Sequence, residues 1–271
     1  MSYYTVLGLE KEPFSTSPDP DFLYHSSSHD TALKRLEIAI RLRRGLSVIV
    51  GDVGTGKTTL SRTLFQTFKD ESQFLFNLIL DPSYKTEFQF LTHLLKLFGL
   101  SPEFKSTLDY KEAIEKYLFQ KGVDENKTVI LLIDEGQKLT LDQLEILRIL
   151  LNYETNEYKL LQLIIMAQIE LIPKLKRVRN FTDRIALKYI INPLDETETK
   201  QMIEFRLQQA GYNSGVNLFT DEAIRLIYEH TQGYPRQITM LCHDALESII
   251  MQEKSLADAE IIRSLIKSEL I

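Results

Sequence analysis

A single cysteine, Cys242, stands among 271 residues. No disulfide can form within the chain, and a reducing compartment is the natural setting. Basic charge is not in excess either. The 32 Lys and Arg face 38 Asp and Glu, for a formal charge of −6. That excludes a protein that coats nucleic acid non-specifically, because such proteins neutralise many phosphates. Long apolar runs are missing: the most apolar stretch, Leu160 to Ile172, is broken by Gln162, Gln168 and Glu170, well short of the ~18 residues of a membrane helix. Met1 to Phe14 carry neither a basic leader nor an uninterrupted apolar core, so no secretory signal is expected. There is no internal repeat. With 44% hydrophobic and 26% charged residues, the expectation is a soluble, cytoplasmic globular protein.

The first thirty residues are turn-rich, with Pro13, Pro18, Pro20 and Ser26 to Ser28, and aromatic, with Tyr3, Tyr4, Phe14, Phe22 and Tyr24. They read as an arm laid against the body. A helix is expected over Thr31–Arg44, with Leu33, Leu36 and Ile40 on one face and Gly45 beyond its end. Five short apolar runs follow: Leu46–Val50, Phe74–Leu80, Thr128–Ile133, Leu160–Ala167 and Ile185–Ile191. Helix-length segments separate most of them. That alternation predicts an α/β domain with a mainly parallel sheet covered on both faces. After Pro193 the strands stop. Asp195 with Glu198, Thr220 and Pro235 read as starts of three helices, so a small all-helical domain is expected. The expected division is an arm over residues 1–30, an α/β domain over 31–193 and a helical domain over 194–271.

Gly51-Asp52-Val53-Gly54-Thr55-Gly56-Lys57-Thr58 matches GxxxxGK[ST] at every position, between a strand-like run and a helix over Thr58–Lys69. The glycines let backbone N–H groups turn inward around phosphate oxygens, helped by the helix N-terminus. Lys57 supplies a point charge for the β- and γ-phosphates, and the Thr58 hydroxyl a ligand for Mg²⁺. Val129 to Ile133 then lead into Asp134 and Glu135, which puts two carboxylates at the edge where parallel sheets bind ligands. Asp134 is expected to hold Mg²⁺ and Glu135 to polarise the attacking water. Together these residues predict ATP hydrolysis. Gln168, at the end of another run, could orient that water or could cap the next helix. Arg177, Arg179, Arg184 and Arg236 are candidates to stabilise charge on the γ-phosphate.

With these residues in hand, the chain resembles the general secretion pathway protein A (ExeA/GspA) family of AAA+ ATPases, known from type II secretion and related pilus-biogenesis ATPases. The resemblance runs through Leu7 to Ser15, Ser17 to Tyr24, His29, Ala32, Leu33, Gly51 to Thr59, Leu132 to Gln137, Leu144 to Arg148 and Gly233 to Ile238. It implies a P-loop NTPase fold of the AAA+ (ASCE) type. That fold has a parallel five-stranded sheet, with the Gln168 strand between those of the loop and of Asp134, and a small helical lid. It further implies Gln168 as the sensor-1 residue, Arg184 as an arginine finger, Arg236 as the sensor-2 arginine, and adenine near the arm and the Thr31–Arg44 helix. Gly136 stands where the family has alanine, a change conservative in kind, and Ala167-Gln-Ile-Glu where it has Gly-Gln-Pro-Glu. The family's secretion members continue into a membrane helix and a peptidoglycan-binding region that residues 1–271 do not include, so no peptidoglycan role is expected of these residues.

The leading reading is an oligomeric ATPase motor or switch for a secretion or pilus-like envelope machine. It would be cytoplasmic, or peripheral at the inner membrane through partners. Homo-oligomerisation and assembly partners are expected, and no membrane span. The alternative is a DNA-associated ATPase of the transposition-regulator type, suggested by Arg41, Arg43 and Arg44 and by Lys174, Lys176, Arg177 and Arg179 and opposed by net acidity. A third is a nucleotide-gated scaffold with little turnover, against which Glu135 speaks.

Overall fold

The computed structural model describes residues 3–17, 19–101, 106–178, 180–213 and 217–268. In chain order these form α1 (Tyr3–Val6), α2 (Ser27–Arg41), β1 (Leu46–Gly51), α3 (Lys57–Phe68), β2 (Phe74–Ile79), α4 (Glu87–Leu97), α5 (Thr107–Phe119) and β3 (Thr128–Ile133). They continue with α6 (Leu141–Leu150), β4 (Leu161–Ala167), α7 (Leu171–Arg177), β5 (Ile185–Ile191), α8 (Glu196–Gln209), α9 (Asp221–Thr231), α10 (Pro235–Met251) and α11 (Ala259–Ser268). Two compact units result. One comprises residues 29–53 and 60–191, the other 1–28, 54–59 and 192–271.

The first unit holds one sheet of five strands in the order β2-β3-β4-β1-β5, every neighbouring pair parallel. The α/β, P-loop AAA+ architecture read from the sequence is the one observed. Strands β1, β3 and β4 are buried along their whole length, which is why their sequences are mostly β-branched residues and leucine, with Ser47 and Gln162 as buried polar exceptions. On one face α4, α5 and α6 cover Val48, Val129, Leu131 and Leu163; on the other, α2 and the body of α3 cover Ile49, Ile130, Leu132 and Ile164. The edge strand β5 instead alternates half-buried and exposed residues up to buried Ile191, as one-sided packing requires.

Some boundaries differ from expectation. Helix α2 begins at Ser27, because serine favours a helix start, so the stretch read as a turn opens the helix instead. It ends at Arg41, since Arg43 and Gly45 take left-handed φ of +48° and +90°. Helix α3 starts one residue early, at Lys57.

In the second unit α8 to α11 surround Ile203, Ile227, Leu241, Cys242 and Leu246. Asp195 and Glu198 exchange side-chain and backbone hydrogen bonds in a capping box, Thr220 caps α9, and Pro235 opens α10, so all three helix starts fall where the sequence put them. Leu9, Phe14, Phe22 and Tyr24 pack into this core. Phe14 meets Phe219 edge-on at 6.0 Å, and the Tyr24 hydroxyl donates to Gln201 Oε1 at 2.6 Å. Arg206 donates from Nη1 to the carbonyls of Pro13 and Ser15, each at 3.3 Å, and burial pushes its guanidinium down to about 10. Gly233 has φ +75°, and a Cβ there would lie 1.8 Å from the carbonyl oxygen of Leu194. Only glycine fits that turn.

Candidate active site

The phosphate-loop sequence leaves the carboxyl end of β1 and passes directly into α3. Gly54 and Gly56 take φ of +82° and +92°, the left-handed values that turn successive N–H groups to one side and that L-residues avoid. Thr55 is fully buried and Lys57 is 7% exposed. A long cation held this far inside at the N-terminus of a 12-residue helix suits a bound polyanion. The loop is also tied to α10. The N–H of Arg236 donates to the carbonyl of Gly54 at 3.2 Å, and a Cβ on Gly54 would approach Arg236 Cβ to 3.0 Å. The Arg236 side chain is exposed.

At the carboxyl edge of the sheet, β3 ends in Asp134 and Glu135. Asp134 is 2% exposed; its N–H donates to the carbonyl of Ile79 at 2.8 Å, and its Oδ1 accepts the N–H of Glu135 at 2.9 Å. Glu135 adopts left-handed φ +53°, ψ +34°, an uncommon conformation for a non-glycine residue. The reversal takes the chain straight into the turn Gly136–Lys138. Gln137 Nε2 donates to Glu135 Oε2 at 2.7 Å, while Gln137 Oε1 accepts the N–H of Gln168 at 3.0 Å. Lys138 Nζ lies 3.2 Å from Asp81 Oδ2 and 3.9 Å from Glu135 Oε2. The Ser83 hydroxyl and Lys138 hold the Asp81 carboxyl below the usual carboxylate range, so Asp81 stays ionised and keeps Lys138 beside it.

Strand β4 lies between β3 and β1, as the family resemblance implied, so Gln168 follows the strand next to that of Asp134. Its carbonyl accepts the N–H of Leu171. Among the described residues its side-chain amide makes no hydrogen bond, and α7 has no side-chain cap. The reading of Gln168 as a helix cap does not hold.

A Cβ on Gly136 would sit 2.3 Å from Ile165 Cγ2, 3.2 Å from the Met166 carbonyl oxygen and 3.3 Å from Ala167 Cβ. The difference from alanine is therefore not conservative: β4 packs too closely on this turn to admit a methyl group. Gln137 and Lys138 had no assigned role in the sequence, and Lys174, read there as part of a basic cluster, donates instead to the carbonyls of Gln137 and Leu139. The adjacency of β3 and β4 is what brings Gln137 to Gln168.

Arg184 lies elsewhere. It closes a short turn before β5, at the amino edge of the sheet, and donates to the Asn180 carbonyl at 2.6 Å and to Asn152 Oδ1 at 2.8 Å. Arg177 is exposed at the end of α7. Arg179 and Pro18 lie outside the described residues.

Residues 40–175 match the family model described as AAA domain. General secretion pathway protein A of Aeromonas hydrophila is 36% identical over 253 residues. The alignment takes in 90% of this chain and 44% of that protein, so the chain spans less than half the length of this curated relative. Solved structures share the fold at low identity. The Drosophila ORC bound to DNA superposes with TM-score 0.72 at 17% identity, covering all of this chain and 66% of that one. The Aeropyrum pernix ORC2 protein gives 0.69 at 15%, over 95% and 71% of the two chains. The Thermotoga maritima RuvB Holliday junction branch migration motor gives 0.58 at 13%, over 88% and 68%.

Proposed function

Because the chain belongs to the AAA domain family, as the match over residues 40–175 shows, we propose that it binds ATP with Mg²⁺, hydrolyses it, and works as a homo-oligomeric motor or switch in assembling a secretion or pilus-like envelope machine. The observation that carries the nucleotide reading is the complete phosphate loop, with two left-handed glycines and a buried Lys57 opening α3. The donor set suits the ligand. Backbone N–H groups of residues 51–59 and the Lys57 ammonium hold the phosphates, and the Thr58 hydroxyl and the Asp134 carboxylate are oxygen ligands of the kind Mg²⁺ takes. Bound there, Mg²⁺ would neutralise charge on the β- and γ-phosphates. Glu135 holds the attacking water and takes its proton, the Gln168 amide orients that water, and Arg236 reads the nucleotide from the lid helix α10.

The likeness to general secretion pathway protein A supports an envelope-machine role. Among the described residues no helix is long and apolar enough to cross a membrane, and in this reading the protein meets the inner membrane through its partners. Of the six described basic residues behind the DNA-associated alternative, three are engaged within the fold. Arg41 pairs with Glu37 at 2.9 Å and Glu71 at 2.7 Å and lies over Phe68 and Phe74. Arg43 is bonded to Thr128 and Asn126, and Lys174 to two carbonyls. Among the described residues Arg44, Lys176 and Arg177 are exposed with no such partner, and the formal charge of −6 opposes tight, salt-sensitive binding.

The position of Arg184 supports the oligomeric reading. It stands at the amino edge of the sheet while Asp134 and Glu135 stand at the carboxyl edge, so it serves a neighbouring protomer. An arginine supplied in trans contributes about 10³–10⁵ in rate. Arg184→Ala and Lys57→Ala should each be inactive alone. Mixing them should restore ATP turnover, because one mixed interface pairs an intact loop with an intact arginine. No recovery despite demonstrated co-assembly would contradict the trans role.

A further inference from the structure

We propose that Gln137 is the positioning residue for hydrolysis: its side-chain amide bridges Glu135 to the end of β4, fixing the direction in which the Glu135 carboxylate faces the attacking water. The inference rests on the reading of Glu135 as the hydrolytic base.

The amide's orientation follows from its partners. A carboxylate can only accept and a backbone N–H can only donate. The 2.7 Å contact with Glu135 Oε2 is therefore made by Nε2, and the 3.0 Å contact with the Gln168 N–H by Oε1. Flipping the amide would break both bonds. The backbone from which this side chain springs is itself held. Lys174 donates to the Gln137 carbonyl, and Ile165 presses on Gly136 so closely that a methyl group there would collide. Gln137 is thus fixed at its carbonyl, its amide oxygen and its amide nitrogen, and the two partners of the amide come from the ends of two adjacent strands.

Glu135 needs such a brace. Its left-handed backbone lies outside the wells that ordinarily set side-chain direction, and the carboxylate is partly exposed, with 35% of the side chain accessible. Both nearby donors, Gln137 and the more distant Lys138, fall on Oε2; among the described residues none falls on Oε1. Oε1 is the atom left to take a water. A neutral amide orients the carboxylate without cancelling its charge, as a close ammonium would. The same amide holds the Gln168 backbone, so the two groups proposed to grip the water keep a set spacing. Displacements of about 1 Å in such a pair can cost ~10²-fold in rate.

The test uses the full chain and a double-mutant cycle. Gln137→Leu should lower kcat about 10–100-fold while the KM for ATP·Mg²⁺ and the ATP affinity change less than about 3-fold. Gln137→Asn keeps both amide atoms on a stem one methylene too short to reach both partners, and should lose activity likewise. In a Glu135→Gln background, single-turnover rates should fall by less than about 2-fold further on adding Gln137→Leu, because no base remains to be positioned. A fully multiplicative loss in that background would mean that Gln137 merely supports the fold, and an unchanged kcat in the Leu variant would overturn the inference directly. Melting curves identify a variant that does not fold, in which case Gln137→Asn carries the cycle. Absence of turnover in the unaltered protein would instead remove the Glu135 reading, and this inference with it.

Discussion

At the amino edge of the sheet Arg43 donates to Thr128, Gly122 and Asn126 and lies 4.4 Å above the Tyr158 ring. Beside it Gln162 accepts from Gly45 and donates to Lys159. At the carboxyl edge the strands also end in polar residues, but the hydrogen bonds there orient side chains without using up every atom. Glu135 keeps Oε1 open and Gln168 keeps its side-chain amide open, while Gln137 braces both residues. Polar side chains at the first edge are spent on one another and on the backbone. Left-handed backbone occurs at both edges, in Arg43 and in Glu135; the carboxyl edge adds a glycine, Gly136, with no room for a methyl group. The residue types on the two edges are alike; what differs is how much bonding capacity each leaves for a ligand.

The comparison breaks most sharply through the loop that leaves the carboxyl end of β1. Lys57→Ala should weaken ATP·Mg²⁺ binding about 10²-fold or more, because no other loop side chain puts a cation against the β/γ-phosphates. Isothermal titration measures this, and unchanged affinity would remove the loop as the site. Gly136→Ala should be next. Forcing a methyl group against Ile165 costs about 1–3 kcal/mol, read as a lower urea midpoint. Turnover should fall with it, since the turn carrying Glu135 and Gln137 must shift. Arg43→Ala sharpens the contrast from the other edge. It should lose a similar or smaller amount of stability, about 1–2 kcal/mol from its hydrogen bonds and ring contact. Its kcat, measured well below the melting temperature, should stay within about 2-fold.

The sequence displayed the loop, the five apolar runs and the paired acids, because each is local: a spacing, a period, a strand ending in charge. The three helix starts at Asp195, Thr220 and Pro235 were legible for the same reason. Strand order was not local and came only through the family resemblance. The link from Gln137 to Gln168 spans 31 residues and exists because β4 inserts beside β3, so no spacing rule could show it. The basic residues misled in the opposite direction. Arg41 and Arg43 look like phosphate contacts in a list of charges, and only the fold reveals Glu71, Phe74, Thr128 and Tyr158 as their partners. Gly136 looked like a small residue in place of another until the packing of Ile165 gave it a reason.

The central claim is that Glu135 at the carboxyl edge drives ATP hydrolysis. The most direct measurement follows ATP binding and single-turnover hydrolysis in the same samples of the unaltered protein and Glu135→Gln, at saturating Mg²⁺. The account predicts affinities within about 3-fold of each other and hydrolysis slower by about 10²-fold or more in the variant. Equal hydrolysis rates in the two proteins would contradict it.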